Sequence, residues 1–123
     1  MKVSLNELAP AVSAALKDYG TVAAQQVKKA VEEVAQDCRR DIQNRSPKRT
    51  GRYRRGWKVV TVYDGPFGRT LRVQNSTSYQ LSHLLEYGHA KRDGGRVDGK
   101  PHIRPAEERA ARDLSRKIEE ALE

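Results

Sequence analysis

The chain is short of the residues that usually anchor small cores or carry site chemistry. Its 123 residues include one cysteine, one methionine, one tryptophan and one phenylalanine, and aromatics reach only 6%. The lone cysteine, Cys38, excludes an internal disulfide and fits a reducing compartment. No run of about eighteen apolar residues occurs, so no membrane-spanning helix is expected. Lys2 is followed by Glu7 and Asp18 with no long apolar stretch, so no secretory leader is expected. Hydrophobic residues make up 37% and charged residues 33%. A small core under a heavily solvated surface follows, one that gains from neighbouring subunits.

Acid is scarce in one region only. Residues 1–44 carry six Lys/Arg against six Asp/Glu, and residues 45–104 carry fourteen against four, a balance of +10. Residues 105–123 return to −2. The net charge of +8 therefore lies wholly in the middle and favours an anionic partner, nucleic acid or an acidic protein surface.

Periodicity predicts one domain, 1–123, of the α+β class: a helical region (1–44), a basic hairpin and loop region (45–104) and a C-terminal helix (105–123). Ser4 and Glu7 form a capping-box pattern for a first helix over 5–18. Gly20 breaks it, and Thr21 is placed to cap a long second helix. There Val27, Val31, Val34, Cys38 and Ile42 recur at helical spacing on an apolar face. Ser46-Pro47 ends it. Trp57–Tyr63 is β-branched and aromatic, Asp64–Gly68 is turn chemistry, and Arg69–Asn75 alternates, which together predict a hairpin. Tyr79–Tyr87 reads as a short helix with Leu81, Leu84 and Leu85 inside. A glycine-rich basic loop follows, then an extended Pro101–Arg104 placed to pair with the sheet. Pro105 opens the last helix, whose apolar face is Ala106, Ala110, Leu114, Ile118 and Leu122.

No catalytic constellation emerges. His83, Glu86, His89 and His102 are the best metal candidates. Gly88 ends the helix before His89, and Lys91, Arg92, Arg96 and Arg104 oppose a divalent cation. Ser46, Ser76, Ser78 and Ser82 fall in turn, cap or surface contexts without a glycine-framed elbow. Cys38 lies on an apolar face as a small core residue. Neither enzyme activity nor a metal or cofactor is expected. The acid-free run Arg45, Lys48, Arg49, Arg52, Arg54, Arg55 and Lys58, with Tyr53 and Trp57 interleaved, admits three readings. It grips phosphates and stacks on bases, it docks onto acidic subunits, or its rings anchor the loop while its arginines stay solvated.

Two ordered motifs carry a resemblance. Ser46-Pro47-Lys48-Arg49-Thr50-Gly51-Arg52-Tyr53-Arg54-Arg55 resembles the S-P-x-x-T-G-x-L/Y-R-x signature of small neck and tail-completion proteins of long-tailed bacteriophages. These are head–tail joining or minor tail proteins related to the one called Z. Tyr79, Leu85-Glu86-Tyr87-Gly88 and Pro101-His102-Ile103-Arg104-Pro105-Ala106 match the second motif of that family. The departures, Gly56-Trp57 and His102-Ile103, leave the architecture intact. The resemblance implies that the signature follows a long helix and opens the first strand. It also implies a structural virion protein of a phage or prophage, without catalysis. Such a protein would form a ring, expected to be hexameric, at the neck, after assembly in the bacterial host cytoplasm. Tail-tube, tail-terminator and head-connector proteins are the implied partners, and nonspecific contact with packaged DNA is left open. On this reading Arg49, Arg52, Arg54, Arg55, Glu86, Tyr87, His89, Lys91, Arg92, Arg96 and His102 are contact residues. Pro47, Thr50, Gly51, Tyr53, Trp57, Gly88, Pro101 and Pro105 are structural.

Overall fold

Alanine and β-branched residues at helical spacing give the molecule its longest element, α1 (Thr21–Arg45). The computed structural model describes residues 2–4, 20–47 and 51–122. The helix expected over 5–18 lies outside these residues, as do Arg49 and Thr50. Gly20 holds the N-cap of α1 with no side-chain hydrogen bond, so Thr21 is the first helical residue and not the cap. At the other end the Ser46 hydroxyl donates to the Ile42 carbonyl at 2.6 Å. Pro47 offers no amide with which to continue the helix.

The sheet is antiparallel, with β3 (Gly68–Asn75) between β2 (Trp57–Gly65) and β1 (Lys2–Ser4). β1 was not foreseen, because three residues are too few for a period-2 pattern to register. The pairs Trp57↔Asn75, Val59↔Val73 and Thr61↔Leu71 fix the register of the hairpin, and a bulge then falls between Thr61 and Tyr63. Since strand side chains alternate, this register turns Trp57, Leu71 and Val73 toward α1. Each aliphatic side chain fully buried there contributes about 1.5–3 kcal/mol of transfer free energy.

α4 (Arg104–Leu122) runs antiparallel to α1, with Ala106, Ala110 and Leu114 inside. Cys38 lies against the Ala106 carbonyl at 3.9 Å, and Lys117 meets Glu33 at 2.8 Å further along. Small residues on both helices let them pack closely. Phe67, Ile118, Ala121 and Leu122 cover Ala24 and Val27 as a satellite cluster. The architecture is α+β, as the periodicities predict.

Several details differ from expectation. Arg52–Arg55 is a one-turn helix, α2, and does not open the strand. Gly51 starts it with a left-handed φ of 78°, a conformation that suits glycine. Tyr79–Leu81 is a 3-10 turn leading into α3 (Ser82–Tyr87). The fully buried residues of α3 are Ser82 and Glu86, while Leu81 is 41% exposed and Leu84 and Leu85 are half-buried. The glycine-rich loop is a small ribbon of β4 (Gly88–Ala90) and β5 (Arg96–Asp98). Pro101 to Ile103 joins no strand, and the helix has begun by Arg104.

The helices and strands share two ends. At one, α1 and β3 finish while β2 and α4 start, and α2, α3 and the ribbon gather there. At the other lie the start of α1, the β2–β3 turn and the end of α4. Both family-like motifs fall at the first, which is called the motif end below.

Candidate functional site

The motif end is built on polar groups taken out of water. Trp57 donates its indole N–H to Ser46 Oγ at 3.0 Å, so one hydroxyl both terminates α1 and satisfies the first residue of β2. Asn75 Nδ2 donates to the Tyr53 carbonyl at 2.6 Å. Its Oδ1 accepts the amides of Thr77 and Ser78 at 3.1 and 2.8 Å. That arrangement closes the turn after β3 and holds α2 against it. Tyr53 and Trp57 meet edge-on with centroids 5.6 Å apart, and His102 completes the group at 5.5 Å from Tyr53. These rings anchor the loop to the core.

Glu86 is the centre of this end. Its Oε1 accepts the amides of His102 and Ile103 at 2.7 and 2.9 Å, and its Oε2 accepts that of Arg104 at 2.9 Å. These amides stand at and just before the start of α4, where backbone donors have no partner within the helix and the dipole is positive. Pro105, next in the helix, has no amide to satisfy. Glu86 is thus a carboxylate cap supplied across sixteen to eighteen residues. Burial works to raise its pKa, but the three backbone amides outweigh it and hold the carboxyl below its usual range.

His102 is fully buried beside it. Nδ1 lies 2.7 Å from the Lys100 carbonyl and 3.1 Å from Glu86 Oε1, and both of these can only accept. The proton therefore sits on Nδ1, and Nε2 accepts the Tyr53 hydroxyl at 2.6 Å. Ser82 Oγ lies 3.3 Å from that hydroxyl and completes its hydrogen bonding. Burial lowers the pKa of His102, against the opposing pull of Lys100's carbonyl and Glu86's charge. Burial likewise pushes Tyr53 up to about 12, with Glu86 adding to the rise against the Ser82 hydrogen bond. The neutral imidazole and neutral phenol are the forms this interior accommodates.

Gly88 lets α3 end abruptly. Its φ is 82°, and a Cβ there would stand 2.7 Å from the Gly99 nitrogen and press on the Val97 carbonyl. The ribbon then leaves the body, and every residue from Ala90 to Asp98 is exposed.

The expected contact residues divide. Arg52, Arg55, Tyr87, Lys91, Arg92 and Arg96 are exposed, and Arg54 and His89 are half-buried. Glu86 and His102 are interior, which corrects the expectation that they touch a partner: their polar atoms are consumed by the start of α4 and by Tyr53. Ser46 and Ser82, expected in turn, cap or surface contexts, are also buried. Pro47 and Pro105 are half-buried, Pro101 is exposed, Gly51 and Gly88 hold left-handed backbone, and Tyr53 and Trp57 are buried. Asn75-Ser76-Thr77-Ser78 reads as a turn in the sequence, but the bond of Asn75 to the Tyr53 carbonyl carries no local signal. Sequence reasoning missed the Ser82–Glu86 pair, whose four-residue spacing marks a shared helical side.

Cations of this end, Arg54, Arg55, Lys58, Lys91, Arg92, Arg96 and Lys100, meet no carboxylate within 4.0 Å among the described residues. The open groove of about 370 Å³ between α1 and α4 is different: Asp37 pairs with Arg40 there, and Asp41 with Arg45 at 2.7 Å.

The family model "Bacteriophage HK97-gp10, putative tail-component" matches residues 11–88, and the chain belongs to that family of phage tail components. The match spans the Ser46–Arg55 motif and ends at Gly88. No curated protein and no solved structure matches. As a tail component the protein is a constituent of the virion.

Proposed function

We propose that the protein is a non-catalytic structural subunit that completes the tail and joins it to the head. It acts as a ring at the neck, expected to be hexameric, against tail-tube, terminator and connector proteins. Assembly takes place in the host cytoplasm. The observation that carries this reading is the family membership, which covers the Ser46–Arg55 motif. The geometry is in keeping with it: the buried His102, Tyr53 and Ser82 hydrogen-bond one another beside Glu86, which caps the start of α4. Heads and tails made without this protein should accumulate unjoined, and adding the purified protein should join them. Native mass spectrometry should find a closed ring. Normal joining in its absence would refute the proposal.

A further inference from the structure

The face formed by α3 and the ribbon differs from the rest of the surface. Of the seven large hydrophobic side chains exposed among the described residues, four, Tyr79, Leu81, Tyr87 and Val97, belong to the segment from the 3-10 turn to β5, and Val22, Val62 and Tyr63 lie toward the other end. Tyr79 and Tyr87 are 63% and 60% exposed, more than a tyrosine needs to keep its hydroxyl wet. Around them stand Lys91, Arg92, Arg96 and Lys100, all exposed, with Asp93 and Asp98 the only acids on the ribbon. The root of the ribbon is fixed. Arg96 donates to the Tyr87 carbonyl at 2.7 Å, and the Lys100 amide donates to the Leu85 carbonyl at 2.8 Å. Tyr87 and Val97 are therefore held in place before any partner arrives, which lowers the ordering cost of binding.

We propose that this face docks a different protein subunit, one that presents an apolar pocket rimmed by carboxylates. Exposed tyrosines beside arginines are the residue types that dominate protein interfaces. Duplex DNA offers phosphates to the cations but only the base edges within its grooves, and no apolar pocket, to the rings. A second copy of this chain is the poorer match, because most acids of its helices already face its own cations. Glu33 pairs with Lys117, Asp41 with Arg45, Glu108 with Arg104 and Glu120 with Arg116. The identity of the partner as another structural protein of the same phage rests on the tail-component reading.

The test uses the intact protein, a Tyr79→Ser/Tyr87→Ser variant and a Lys91→Glu/Arg92→Glu variant. Each is checked for an unchanged urea midpoint. Binding is measured by interferometry against every structural protein encoded by the same phage, and against a short DNA duplex at low salt. Self-association is followed by native mass spectrometry. One structural protein should bind the native chain, each variant should bind it at least about tenfold more weakly, and self-association should not change. Equal binding by both variants would overturn the proposal. So would loss of self-association in either variant, which would make the face a contact between copies. Binding only to the duplex would make it a nucleic-acid surface. If rings form but no structural protein binds, the docking face alone fails. If rings do not form and heads and tails stay unjoined in its presence, the tail-completion reading fails instead.

Discussion

The two ends of the molecule use opposite chemistry for the same task of tying two helices to a sheet. At the far end Phe67, Ala24, Val27, Ile118 and Leu122 pack as an apolar cluster. Its cations are matched at the surface, Lys28 to Asp64 at 2.7 Å, Arg69 to Asp64 at 3.3 Å and Lys117 to Glu33 at 2.8 Å. At the motif end a buried carboxylate, imidazole, phenol and amide take that role, and outside them Arg54, Arg55, Lys58, Lys91, Arg92, Arg96 and Lys100 meet no carboxylate within 4.0 Å among the described residues, while Arg45 and Arg104 pair along their own helices. Surface ion pairs contribute little and tolerate loss. Buried polar groups stabilise only when complete, and losing one member leaves the others unsatisfied. The motif end should therefore be brittle inside and expendable outside.

Glu86→Ala should break that asymmetry most severely. It strands the amides of His102, Ile103 and Arg104 and should cost about 3 kcal/mol in equilibrium urea unfolding, with Glu86→Gln costing less. Gly88→Ala comes next, at about 2 kcal/mol, because the left-handed backbone and the neighbouring chain both reject a side chain. The loss should appear in the same measurement.

Acid should then separate the two ends. The pKa of His102 is depressed in the folded protein, so its contribution is complete above the ordinary histidine value of about 6.5 and is lost as pH falls through the folded value. Glu86, also depressed, adds a second loss below about 4.5. A urea midpoint followed from pH 8 to 4 should fall in that order, and His102→Gln should remove the first step. Smallest of all, Lys117→Ala at the far end should leave the midpoint unchanged within error, since its partner Glu33 is on the surface.

Much of the frame was legible. The apolar steps from Val27 to Ile42, the β-branched run after Trp57 and the Pro105 start of the last helix each carry a local periodic or capping signal. The interior of the motif end carried less. Glu86 and His102 look like surface residues because charged and titratable side chains usually are. What buries them is a partner sixteen residues away, and no local pattern encodes that. Of the leucines expected inside α3, Leu85 packs against the core while Leu81 stays exposed: hydrophobicity named the leucines, while the cap for α4 put Ser82 and Glu86 on the fully buried side. Lys2–Ser4 pairs with β3 only through tertiary contact.

The central claim is that Glu86 is an interior cap on α4 and that Lys91 and Arg92, on the exposed ribbon, take no part in folding. Urea unfolding of Glu86→Ala beside Lys91→Glu/Arg92→Glu tests it most directly. The first should lose about 3 kcal/mol and the second should match the native chain. An unchanged midpoint for Glu86→Ala, or a loss of that size for the ribbon variant, would contradict it.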